Sequence, residues 1–95
     1  MNKTIPQLRE EIDALDEKLV ALFSERMSLS RQIAAEKAAL SLPIRDERRE
    51  SELTARIRAL AGEALADQAE TLYRCILTLS REEQAAAAGQ GRAEP

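Results

Sequence analysis

The chain has no histidine and no tryptophan, and one cysteine, one tyrosine and one phenylalanine among 95 residues. A lone cysteine, Cys75, excludes a disulfide within the chain, and without histidine the usual zinc-ligand spacings cannot be built. Cys75 lies beside Ile76 on a helical stretch and is expected to be a core thiol. The near absence of aromatics makes any core aliphatic. Three glycines and three prolines in a run of good helix formers predict an all-α fold. No apolar run is long enough to span a bilayer, and the start, MNKTIPQLREEI, lacks the apolar segment of a secretion signal. A cytoplasmic protein with no membrane partner is the expectation. A net charge of −3 argues against nucleic acid as a partner, so any basic site is local. There is no catalytic triad, metal cluster or glycine-rich phosphate loop. A reaction hosted here needs no metal and no cofactor and works by positioning and electrostatics.

What is present is helical periodicity. Leu8, Ile12, Leu15, Leu19, Leu22, Leu29, Ile33 and Leu40 follow alternating four-and-three spacing, which predicts one long helix from near Pro6 to about Leu40. Pro43 ends it. A second helix is predicted from a cap at Asp46 to Gly62. A third is predicted from Asp67, with Glu70 as its capping-box partner, to Ala88. The reading is a single helical domain over residues 1–88 and a disordered tail over 89–95.

A helix of about 34 residues is a rod of roughly 50 Å, whereas a compact domain of this size has a diameter near 32 Å. The rod overhangs anything the rest of the chain can build. Its seam is expected to be covered by another chain, in an intertwined homodimer of three-helix protomers. The alternative is a long coiled coil with two loosely attached helices.

Each predicted helix carries polar groups on its apolar stripe. Arg26 sits on the first seam and Lys37 lies eleven residues on, pointing within about 20° of it, so that the two can line one cavity. A seam charge can bind a ligand or merely fix register. Lys37 can also simply answer the helix dipole. Arg9, about 25 Å from Arg26 and rotated by about 100°, cannot share that cavity. It is either a solvated arginine or a contributor to a partner's site. Asp46, Arg49 and Glu50 fall on one face of the second helix, as a salt-bridged first turn or as a guanidinium for a carboxylate beside a carboxylate for a hydroxyl. Ser80 and Gln84, four apart on the third helix, present a hydroxyl and a neutral amide. Together these specify a ligand with several carboxylates, a hydroxyl and a further acceptor.

The segments LREEIDALDEKLVALFSERM, AAEKAALSLPIRDERRE and SREEQ resemble the all-helical (AroQ) class of chorismate mutases over about residues 5–85. The resemblance implies a homodimer with two equivalent sites and the rearrangement of chorismate to prephenate in phenylalanine and tyrosine biosynthesis, an isomerase reaction. It implies substrate-binding roles for Arg9, Arg26, Lys37, Asp46, Arg49, Glu50, Ser80 and Gln84, with Arg9 contributed across the interface. Arg26 and the second copy's Arg9 would hold the two carboxylates, assisted by Arg49 and Ser80. Lys37 and Gln84 would donate to the ether oxygen, and Glu50 would accept from the ring hydroxyl, with the backbone near Asp46 helping. Some members carry Glu where this chain has Gln84. Helix 3 is placed by a gap between Leu60 and Asp67. A shift of one residue would swing Ser80 and Gln84 by 100°.

Two other readings compete. An isochorismate–pyruvate lyase shares the fold and a similar dicarboxylate substrate, but the R-D-x-x-R-E segment favours the mutase. The other is a catalytically weak helical dimerisation module, although a pure scaffold would gain from an apolar residue at Arg26; one that needs a partner enzyme for full rate stays open. The chain leaves no room for a fused second enzyme, and a monofunctional protein is expected.

Overall fold

The computed structural model describes residues 2–92, and these form three α-helices: α1 (Ile5–Ala39), α2 (Glu47–Ala61) and α3 (Ala66–Arg92). The start of α1 is fixed by a reciprocal capping box. The Gln7 amide N–H donates to Thr4 Oγ1 at 3.3 Å, and the Gln7 side-chain oxygen accepts from the Thr4 N–H at 2.8 Å. Pro6 occupies the first turn, where its missing N–H costs nothing. Asp46 caps α2 by accepting from the Arg49 N–H at 3.0 Å.

The end of α1 is a Schellman motif with an unusual residue in it. The Leu42 N–H donates to the Lys37 carbonyl at 2.8 Å and the Ser41 N–H to the Ala38 carbonyl at 3.2 Å, which is the paired pattern that closes a helix. The residue that turns the chain is Ser41, at φ 57°, where glycine is the usual occupant. Gly62 caps α2 at φ 83° and ψ 168°, a region essentially closed to side chains.

The third helix differs from its expected ends. Asp67 lies within the first turn, not at the cap, and the Ala69 N–H donates to the Leu65 carbonyl. Glu70 does not close a capping box. Its carboxylate takes the Arg58 guanidinium at 2.8 Å and that of Arg74. Arg58 also reaches Asp67 at 2.9 Å, so α2 and α3 are joined by an exposed ionic cluster. Those two guanidinium hydrogen bonds hold the Glu70 carboxyl below the usual carboxylate range. The C-terminal part of α3 passes Gly89 and continues to Arg92. The expected disordered tail thus begins within helix, and its last three residues, 93–95, lie outside the described residues.

Packing is centred on α3, which lies against both α1 and α2, while α1 and α2 make no close backbone approach among the described residues. The buried face of α1 is Met27, Ser30 and Ala34, joined by Leu53 and Ala66. This face is turned by roughly 90° from the leucine seam read in the sequence. The N-terminal half of the seam does not face the chain's own helices. Every residue from Asn2 to Glu25 is exposed, including Leu8, Ile12, Leu15, Leu19 and Leu22. The molecule measures 64 × 28 × 14 Å with a radius of gyration of 17.3 Å, against about 12 Å for a compact domain of this length. Cys75 is exposed in the single chain, not the core thiol expected, because α3 presents Tyr73, Ile76, Leu77 and Ser80 toward the interior and turns Cys75 outward. No helix among the described residues is long and apolar enough to cross a membrane.

The two positive-φ positions respond oppositely to substitution. Ser41→Gly is expected to stabilise the fold by about 0.5 kcal/mol, relief of left-handed strain offset in part by the freer unfolded chain. Gly62→Ala is expected to cost about 1–3 kcal/mol. Urea denaturation of the two variants against the parent checks both signs.

Candidate active site

The buried polar side chains of the described residues are Ser30, Ser80 and Gln84, and all three line one cavity of about 280 Å³ between the helices. Buried polar groups need partners, and here they supply them to one another. The Ser30 and Ser80 hydroxyls are 2.6 Å apart. The Gln84 Nε2 donates to Ser80 Oγ at 3.4 Å, and its Oε1 accepts from Lys37 Nζ at 3.2 Å. Lys37 Nζ also donates to the Ile44 carbonyl. The chain of hydrogen bonds therefore runs from the loop after α1, through the end of α1, into α3. It also settles the register of α3: both Ser80 and Gln84 point inward, as their spacing of four requires.

Seven of the eight residues read from the sequence line this cavity. From α1 come Arg26 and Lys37, which are both half-buried. Their shared direction follows from three turns of helix. The start of α2 contributes Asp46, Arg49 and Glu50, and α3 contributes Ser80 and Gln84. Arg9 is absent from it. It lies on the exposed N-terminal half of α1, about 25 Å along the helix from Arg26.

The charges are arranged to receive an anion. Four cations (Arg26, Lys37, Arg49 and Arg81) line the cavity against the two carboxylates of Asp46 and Glu50. Among the described residues neither the Arg26 nor the Arg49 guanidinium pairs with a carboxylate. Arg26 lies over the Tyr73 ring at 5.9 Å, which supports the cation through the ring face and leaves the in-plane N–H groups for a ligand. Asp46 is spent on capping α2. Leu29, Ile33, Leu53 and Leu77 complete the wall and lower the local dielectric, which strengthens every polar contact inside.

Two polar lining residues were missed in the sequence. Ser30 falls on the same four-and-three stripe as Arg26, Ile33 and Lys37, so the periodicity contained it. Arg81 clamps Glu50 bidentately, with Nη1 at 2.8 and 2.7 Å from the two carboxylate oxygens. Nothing local marks Arg81, since its partner is 31 residues away.

A three-helix protomer with a polar cavity that is cationic, hydrogen-bonded and walled by aliphatic side chains defines a small-anion site on an all-α scaffold. Comparison with known proteins identifies it further. The family model for chorismate mutase type II matches residues 8–85, and the chain belongs to that family. A chorismate mutase from Methanocaldococcus jannaschii is 37% identical over 68 residues, covering 72% of this chain and 69% of that protein. The bifunctional chorismate mutase/prephenate dehydratase of Escherichia coli is 45% identical over 53 residues, 56% of this chain and 14% of the longer enzyme. Its counterpart from Aquifex aeolicus is 37% identical over 59 residues, 62% of this chain and 16% of that enzyme.

Ser30→Ala removes the 2.6 Å hydroxyl pair without touching a charged group. It is expected to cost about 1 kcal/mol of stability, in the range of a net buried hydrogen bond, as read by chemical denaturation. A variant as stable as the parent would show that the pair contributes nothing.

Proposed function

We propose that this chain, a chorismate mutase by family, converts chorismate to prephenate in the cavity between its helices and does so as a homodimer. The observation that carries the proposal is the Lys37–Gln84 pair. Lys37 Nζ donates to Gln84 Oε1 at 3.2 Å, which sets a cationic and a neutral donor group side by side on the wall of a cavity that also holds the free guanidinium groups of Arg26 and Arg49. Chorismate is a dicarboxylate with an enol-ether oxygen and a ring hydroxyl. Its rearrangement breaks one C–O bond and forms one C–C bond within a single molecule, so no proton, water or cofactor takes part. What the protein supplies is conformation and charge.

Arg26 and Arg49 bind carboxylate and hold the enolpyruvyl side chain over the ring, replacing conformational search with a reactive geometry. As the C–O bond lengthens, negative charge grows on the ether oxygen. Lys37 Nζ and Gln84 Nε2 are the donors for that charge. Because Gln84 Oε1 already accepts from Lys37, its NH₂ is directed away from the lysine, to the side of Ser80. Donors that match the developing charge better than the ground state lower the barrier. Glu50 accepts from the ring hydroxyl, while Ser80 and the backbone at Asp46 complete the enclosure.

The homodimer is supported by the exposed face of α1. An apolar stripe running from Leu8 through Leu22 with no cover in the single chain is the kind of surface that marks association, and α1 is long enough to cross two halves. In that arrangement Arg9 of a second copy closes the cavity, supplying the second carboxylate ligand that this chain's own Arg9 is too far away to give. The cytoplasmic location and the place in phenylalanine and tyrosine biosynthesis belong to the same reading. No observation favours the lyase or the silent scaffold.

Loss of chorismate absorbance, with acid-converted product read as phenylpyruvate, is expected with purified protein and no additions. Turnover of isochorismate and not chorismate would contradict the reading. Mixing inactive Arg9→Ala with inactive Lys37→Ala is expected to restore activity, since one site of each heterodimer carries both lesions and the other neither. No rescue after demonstrated subunit exchange would refute the shared site. The parent, with a neutral amide at Gln84, is expected to keep its kcat/KM between about pH 6 and pH 8. In Gln84→Glu, the introduced carboxyl donates only when protonated, and once ionised it accepts from Lys37 and cancels its charge. That variant is expected to lose at least about tenfold in kcat/KM between pH 5 and pH 8.

A further inference from the structure

Glu50 lines two spaces. One is the cavity shared with Lys37 and Gln84. The other is a groove of about 720 Å³ between α2 and α3, walled in part by Arg45, Arg58 and Arg74. Its carboxylate sits in the first turn of α2 on a flexible stem, with two directions open to it. On the groove side Arg45 Nε stands 4.0 Å away. The cavity side carries Arg26, Lys37 and Arg49, its neighbour on α2. Arg81 also lines both spaces, and its Nη1 alone donates to both carboxylate oxygens. The Arg81 guanidinium is itself steadied by Nη2 donating to Thr78 Oγ1 at 3.4 Å.

We propose that Arg81 is a positioning residue for the rearrangement, acting through Glu50. Nη1 engages one lone pair on each oxygen and leaves the others to accept from a substrate hydroxyl. It holds the carboxylate at the boundary between cavity and groove. It also neutralises an anion that would otherwise repel a dicarboxylate ligand from its own site. A lysine can neutralise Glu50 but has no second nitrogen like Nη2, by which Arg81 is held to Thr78, so its ammonium is a point charge that is not aimed in the same way. The proposal rests on the assignment of Glu50 to the substrate hydroxyl.

The test is a double-mutant cycle on kcat/KM, with crystal structures of the variants. Arg81→Met is expected to lose about tenfold or more, and Arg81→Lys to recover part of that loss by restoring charge without the tether to Thr78. In a Glu50→Gln background the same Arg81→Met change is expected to cost less than about twofold, because its route is already removed. Equal losses in the two backgrounds would overturn the proposal, since Arg81 would then act independently of Glu50. The structure of Arg81→Met is expected to show the Glu50 carboxylate rotated toward Arg45 and out of the cavity wall. A carboxylate that keeps its place there would also overturn the proposal, whether or not the parent turns over chorismate. Turnover failing in the parent itself would instead strike the reading on which Glu50's role rests.

Discussion

The Lys37 ammonium donates to the Ile44 carbonyl and to Gln84 Oε1, and three parts of the molecule meet at that nitrogen. Its backbone carbonyl closes the Schellman motif that ends α1. Its side chain ties down the loop that leads to the Asp46 cap of α2. Through Gln84 it reaches Ser80 and then Ser30, which joins α3 back to α1. A cationic group so placed would be costly if unpaired. Here the partners are neutral oxygens, so the charge is solvated by the protein without being cancelled. That distinction lets one side chain serve both the fold and the chemistry. A carboxylate partner would hold it as firmly and leave no field for an incoming anion.

The rest of the site keeps to the same logic. Arg26 is supported by the face of Tyr73 and Asp46 by the end of a helix, so each is held without neutralising the cations that face the cavity. Glu50 is the exception, the carboxylate of this cavity that is paired with an arginine brought in from another helix. Selective neutralisation leaves a cavity whose cations exceed its carboxylates and whose donors are already oriented, as electrostatic catalysis requires. The cost falls elsewhere. The first half of α1 contributes nothing to the protomer's own core, and an apolar stripe stays open along it.

Much of this was legible in the sequence because it is local. Pro43, Asp46 and Gly62 mark helix ends through steric and capping effects that need no tertiary context; α2 begins and ends one residue inside Asp46 and Gly62, and α1 stops four residues before Pro43. The direction that Arg26 shares with Lys37, and Ser80 with Gln84, follows from helical period alone. What was not legible depends on long-range packing. The seam of α1 and its buried face differ by a rotation that only the docking of α3 decides. Asp67 and Glu70 looked like a cap because their spacing fits one, but Arg58, arriving from α2, takes both carboxylates. Arg81 goes unmarked in the sequence because its partner lies on another helix. Cys75 beside Ile76 looked interior because neighbours on a helix were read as sharing a face, although they are 100° apart.

The central claim is that Lys37, held by neutral partners, stabilises charge that appears only as the ether bond breaks. The most direct measurement is the steady-state kinetics of Lys37→Met on chorismate, with circular dichroism to establish that the helices are intact. The account predicts a fall in kcat of about 10²–10³, the scale on which removal of one transition-state donor acts, with KM changed far less. A folded variant whose kcat stays within a few-fold of the parent would contradict it, and the role of Lys37 would then be structural alone.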